Sequence, residues 1–301
     1  MPGARTYEYL HAFINNLGFY FISECNGTGL VARPGRPFLK RKMETKESLR
    51  QYALQAQEHF LPQNIEKFVV GFHTVENIEI MAISACWLNI GNREEGVNCA
   101  SWAYNQFMEA RTPLQYVLNK RMYWTHFQQN FQKITTYHTL HNWWQLMGRL
   151  YNIYSAGNTI LTEVIKGIKE KEYANIRGTA LEVLFSLFEG IGQMPSAMDL
   201  IPNKFVRFVM MMVRAKPIGT GIWTELEPRV FDAKKTYIPL DSGMIKAISD
   251  NGLMENPNMS WEFGKSLYGY FAEVFPDDPA QGYFSILGLK DYSHISKKNN
   301  G

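Results

Sequence analysis

Asp241, Lys204, Arg207 and Arg214 are the side chains whose type and spacing point most directly to chemistry. Asp241 follows Ile238-Pro239-Leu240 and precedes Ser242-Gly243-Met244, so it stands between a proline turn and the start of a helix. An N-cap aspartate there accepts from free helical N–H groups and stabilises the helix by about 1 kcal/mol. A carboxylate held in that way stays ionised, which also suits it to stabilise a developing cation or to orient a water. Upstream, Lys204, Arg207 and Arg214 recur at helical spacing, and residues 200–224 carry four positive charges and no acid. Such a face, together with the helix start at Asn203, can hold phosphates through guanidinium groups and backbone N–H groups. The competing reading is a core helix whose charged residues face water, with Met210, Met211 and Met212 as core filler.

Other constellations are weaker. His138 and His141 lie three apart in a segment expected to be helical from His138 to Tyr154. That spacing suits zinc, but no carboxylate or cysteine stands at ligand spacing, so packing beside Trp143-Trp144 is expected instead. Gly190-Ile191-Gly192 lacks the strand context of a nucleotide loop. Asp277-Asp278-Pro279 reads as a helix cap. Cys25, Cys86 and Cys99 have no metal spacing. The expectation is therefore no metal and no cofactor.

These residues must be positioned by helices. Lys46 to Phe60 is a polar helix, and Glu76 to Ile90 is apolar or small on nearly every side, so it belongs deep in a core. Gly91-Asn92 is its expected C-terminal pair. Further helices are predicted at about 94–110, 113–120 (Thr112 as cap), 138–154, 159–170, 173–189, 203–215, 242–250, 260–274 and 279–288. Phe19 to Val31 around Asn26-Gly27 reads as a β-hairpin, and Arg33 to Lys42 as a basic, proline-broken loop. The fold class is mainly α. Residues 1–45 form an extension, 46–292 a helical domain (lobes roughly 77–190, and 46–76 with 191–292), and 293–301 a flexible tail.

Composition sets the outer bounds. With 301 residues, 46% hydrophobic and 14% aromatic, the chain can bury a real core, which excludes disorder. No apolar run approaches the roughly 20 residues of a membrane span, and the first ten residues lack a signal-peptide core, so a cytoplasmic protein is expected. A net charge of +3 does not by itself mark a nucleic-acid binder.

Three ordered stretches carry a family resemblance. They are Asn77-Ile78-Glu79-Ile80 running to Asn92-Arg93; Phe208 to Arg214 followed by Gly221-Ile222-Trp223; and Ile238-Pro239-Leu240-Asp241 continuing to Phe275-Pro276-Asp277-Asp278-Pro279. Together, over about Lys46 to Tyr292, they resemble a bacterial conserved-hypothetical family, domain of unknown function 2400, frequent in Bacteroidetes. That family is in turn distantly similar to the helix-hairpin-helix DNA glycosylases, which implies a two-lobed helical fold.

The resemblance implies a DNA N-glycosylase type of activity on a flipped or damaged base in duplex DNA. Asp241 matches the essential aspartate of those enzymes, and Lys204 lies within one position of a lysine that attacks the sugar in some members. That lysine's own position aligns with Asn203. Asn89, Asn92 and Arg93 fall where a polar loop fills the gap left by the extruded base. Arg207, Arg214, Lys216 and Lys246 are the expected phosphate contacts. Gly243 stands where a histidine follows the aspartate, and Met194-Pro195-Ser196-Ala197 where a leucine-proline-glycine hairpin is found. Two alternatives follow: a non-catalytic nucleic-acid-binding module with the same fold, or a protein–protein adaptor using Trp223 or Trp261. A monomer is assumed.

Overall fold

The segment expected to lie deepest, rich in isoleucine and small residues, is the helix around which the molecule is built. In a computed structural model of the chain it spans Val75–Leu88 and is buried from Ile78 to Leu88. The structure describes residues 45–60, 63–125, 131, 135, 137–173, 179–195, 203–215 and 218–299, the last nine by their helical backbone alone. The expected N-terminal hairpin and the Arg33–Lys42 loop lie outside these residues. Of two compact units, Met1–Lys42 and Met43–Gly301, only the second is described.

Thirteen α-helices are found among the described residues, and no strand. They are α1 (Lys46–Phe60), α2 (Val75–Leu88), α3 (Arg93–Glu109), α4 (Pro113–Leu118), α5 (Lys120–Trp124), α6 (Leu140–Ser155), α7 (Ile160–Tyr173), α8 (Ala180–Leu187), α9 (Asn203–Val213), α10 (Ile222–Leu226), α11 (Ser242–Asn251), α12 (Trp261–Val274) and α13 (Gly282–Asn299). Short 3₁₀ turns occur at Ile65–Phe68, Ala233–Lys235 and Pro279–Gln281. Among the described residues no helix is long and apolar enough to cross a membrane.

Local chemistry explains most boundaries. Thr112 caps α4 by accepting from Gln115 N, with Pro113 in the first turn. Asn92 caps α3 in a reciprocal box with Glu95, so it opens the next helix; α2 has already ended at Leu88. Gly91, at φ 84°, supplies the left-handed residue between them. The tail expected to be flexible continues as α13 to Asn299.

Two hydrophobic cores result. One gathers α2 to α8 with much of α9 and Trp223; the other gathers α1, α11, α12 and α13. Helix α9 serves both, giving Phe205, Phe208, Met211 and Met212 to the first core and Met210 to the second. Its methionines are core filler, as expected from their adaptable shape.

In the second core α1 and α13 approach closely. Ser285 Oγ donates to Leu49 O at 2.8 Å, and a Cβ at Gly288 would stand 2.6 Å from Tyr52 O. Backbone cannot yield as a flexible side chain would, so Gly288→Ala is expected to cost about 1–3 kcal/mol. Urea unfolding measures it; an unchanged midpoint would show that the two helices are loosely packed.

Candidate functional site

Helix α2 carries two polar side chains that tie other helices to it. Glu79, fully buried, accepts four hydrogen bonds of 2.8 Å, from Tyr154 Oη, Trp223 Nε1 and the backbone N–H groups of Ile160 and Leu161. Its carboxylate thus caps the first turn of α7 from a different helix. Burial pushes its carboxyl up to about 7, against the opposing pull of those four donors. Asn77 Oδ1 accepts from Leu114 N at the start of α4 in the same way.

The end of α2 is a second polar junction. Lys204 Nζ donates to Trp87 O at 2.9 Å and to Gln193 O at 2.5 Å, satisfying a carbonyl in the last turn of α2. Trp87 Nε1 donates to Gly192 O, and its indole lies 4.0 Å from the His138 ring. His138 is buried and precedes α6, so it does not share a helix face with His141. Burial, helped by the charge of Lys204, lowers its imidazole to about 3. No group of three metal-ligating side chains occurs among the described residues.

The expected phosphate arginines point inward. Arg207 makes a two-pronged pair with Glu66 at 2.9 Å, the Glu66 side chain being buried and that of Arg207 11% exposed. Arg214, 1% exposed, is held by Asp278 through Nε at 2.8 Å and Nη2 at 2.6 Å. Neither guanidinium faces water, so the solvated basic face expected of α9 is absent at these two positions. Asp278 makes no side-chain cap to the turn it precedes, contrary to expectation; its Oδ2 is turned to Arg214 instead.

Asp241 does what its surroundings in the sequence predict, and more. It is exposed and caps α11 by accepting from Met244 N at 2.7 Å. The preceding residue, Leu240, donates its N–H to Asn203 Oδ1 at 2.7 Å, so Asp241 emerges beside the first residue of α9. A Cβ on Gly243 would stand 3.1 Å from Asp241 Oδ1 and 3.0 Å from Lys290 Nζ, so the missing side chain leaves Lys290 room beside the carboxylate. Burial pushes the Tyr283 hydroxyl up to about 12, and the charges of Arg207, Glu66, Asp241 and Arg93 all reach it.

The remaining expected residues are spread more widely. Asn89 follows α2 directly, and Gly96 is small where the Asn89 side chain packs. Asn92 is occupied as a cap, whereas Arg93 is exposed. Lys246 is exposed and pairs with Asp250 one turn on. Lys216 lies outside the described residues. Trp223 is buried on Glu79 and Trp261 is half-buried against Tyr237, so neither is the exposed aromatic that an adaptor needs.

A family model described as "Protein of unknown function (DUF2400)" matches residues 66–291. The chain belongs to that family. No curated protein and no solved structure matches it. Each resembling stretch of this family member supplies part of the buried polar framework. Glu79 meets Trp223, Arg214 meets Asp278, and Leu240 meets Asn203.

Glu66, Tyr283 and Lys290 were not singled out in the sequence. Glu66 lies 141 residues from the arginine it pairs with, and no local pattern signals such a partner.

His138 sets a pH dependence. Its imidazole titrates at 6.5 ordinarily and near 3 when folded, so between those values the unfolded chain binds a proton that the folded chain refuses. Stability is therefore unaffected by this group above about 6.5 and falls as the pH drops below it. Glu79 acts oppositely between 4.5 and about 7, where the folded chain keeps a proton the unfolded one has lost. In His138→Phe the loss of stability from pH 6.5 to pH 4 should be smaller than in the parent; identical slopes in urea unfolding would contradict a buried neutral imidazole.

Proposed function

We propose that this family member is a DNA-binding protein of DNA N-glycosylase type, with the two-lobed helix-hairpin-helix arrangement of those enzymes, and that Asp241 is its catalytic residue. The observation that carries the reading is the convergence of three distant segments. Asp241 is an exposed carboxylate at a helix start, joined through Leu240 to Asn203 of α9 and with Lys290 of α13 close beside it. Breaking a base–sugar bond builds positive charge on the sugar, and a fixed carboxylate beneath it lowers the barrier. The same group can instead take a proton from the attacking water.

Lys204 takes a supporting part. Its Nζ is engaged with two backbone carbonyls, so water rather than this amine is the nucleophile. The α2–α3 loop, with Asn89, Asn92 and Arg93, faces the gap left by the base. Phosphates are held by Lys246 and Lys216, while Arg207 and Arg214 brace the fold. No cofactor is required.

Lys290 beside Asp241 favours a second reading, a nucleic-acid-binding module whose carboxylate is neutralised and does no chemistry. Asp241→Asn separates the two, because asparagine caps a helix as well as aspartate does and so leaves α11 intact. Base release from duplexes carrying damaged or mismatched bases is expected to fall by about 10²-fold or more in the variant, with duplex affinity unchanged. No release by the parent chain, with salt-dependent duplex binding retained, would leave only the binding module. No salt-dependent binding at all would end both readings.

A further inference from the structure

Between Glu109 and Glu163 the chain contains no acidic residue, while Arg111, Lys120, Arg121, Lys133 and Arg149 fall within that stretch. Helices α4, α5 and α6 are all drawn from it, so their outer surface has cations and no carboxylate of its own. On that surface Trp124 is 63% exposed, an unusual position for the largest aromatic side chain. Its ring lies nearly parallel to that of Trp144, at 16° and 5.9 Å between centroids. Trp144 is fixed in turn by its Nε1 donating to Tyr123 O at 2.7 Å. Trp124 is therefore backed by a held ring and keeps its outer side open.

The surroundings favour one kind of occupant. Lys120 Nζ sits 3.9 Å from the centre of the Tyr151 ring, and Arg121 is exposed beside it. One turn along α6 from Trp144, a Cβ at Gly148 would meet nothing within 4 Å, so the shelf between Trp144 and Tyr151 is open. Asn119, Gln145 and Asn152 are exposed around it and offer both donors and acceptors. A protein partner would call for a contiguous apolar centre poor in charge, whereas Leu118 is the only exposed aliphatic side chain of α4 and α5 and Lys120 and Arg121 lie beside Trp124 in sequence. Flat rings interleaved with cations and amides suit unstacked bases and the phosphates between them.

We propose that the α5–α6 surface is a stacking platform for single-stranded nucleic acid, with Trp124 taking an unpaired base and Lys120 and Arg121 the flanking phosphates. The platform does not depend on Asp241 or on base excision. Stacking on an indole is tolerant of sequence, so discrimination among bases is weak, and contacts to phosphate make affinity fall with salt.

The test is fluorescence anisotropy of the full chain with a labelled oligothymidylate, and the matching oligouridylate, of about twenty nucleotides at several salt concentrations. Binding is expected to be saturable and salt-dependent, and to weaken about tenfold or more in Trp124→Ala. Trp124→Phe should restore most of the affinity, and the double change Lys120→Ala with Arg121→Ala should flatten the salt slope. Asp241→Asn should bind these strands as the parent does, which separates this site from base excision. The two strands distinguish DNA from RNA as the source of the bases. Absence of saturable binding overturns the proposal, as does equal affinity in Trp124→Ala, Trp124→Phe and the double variant. A change of sedimentation in Trp124→Ala with unaltered strand binding also overturns it, and assigns the face to a second copy of the chain.

Discussion

A single buried carboxylate sets the arrangement of the first core. Glu79 sits on a helix buried without interruption from Ile78 to Leu88, where burying an unpaired charge would be prohibitive. It is tolerated because four donors converge on it, two of them the otherwise unsatisfied N–H groups of α7. The exchange is mutual: α7 gains a cap, and α2 fixes where α7, Tyr154 and the Trp223 indole must lie. Below its raised titration point the carboxyl can donate to Tyr154 Oη, the one partner of the four able to accept.

The same economy explains why most of the striking charges are spent inside the fold. Helix α9 lies between two cores, so its cations have little access to water. Arg207 and Arg214 are matched by carboxylates from the Ile65–Phe68 turn and from Asp278, and Lys204 caps α2. A buried pair of this kind contributes little net stability but is very costly to break, so it acts mainly to fix register between elements. What is exposed beside the α9 start is Asp241, and the proposed chemistry rests on it.

Local signals in the sequence were enough for most of the helices, although α5 and α10 were not expected and the bounds of α8 and α13 differ from those expected. Thr112-Pro113, Asp241 and the apolar run from Ile78 each specify an element through short-range physics, and each element lies where expected within a few residues. Asp241 was legible as a cap for the same reason. The inward turn of Arg207 and Arg214 was not, since i and i+7 spacing defines a helix face but not what covers it. Pairing across 141 and 64 residues depends on tertiary packing, which periodicity does not encode. Lys290 was hidden for a related reason: only a glycine at 243, on another helix, makes room for it. The acid-free span from α4 to α6 was readable from composition alone, but it acquires meaning only when Trp124 is seen to be exposed.

The most direct test of this framework is equilibrium urea unfolding of Glu79→Gln near neutral pH, a change that keeps the side chain's shape. An amide offers one acceptor oxygen to four donors and turns an NH₂ group toward the rest. A loss of at least about 3 kcal/mol is therefore expected, with the Trp223 indole losing its fixed environment in near-ultraviolet circular dichroism. Stability and a spectrum equal to the parent's would show that the carboxylate does not hold α2, α7 and α10 together.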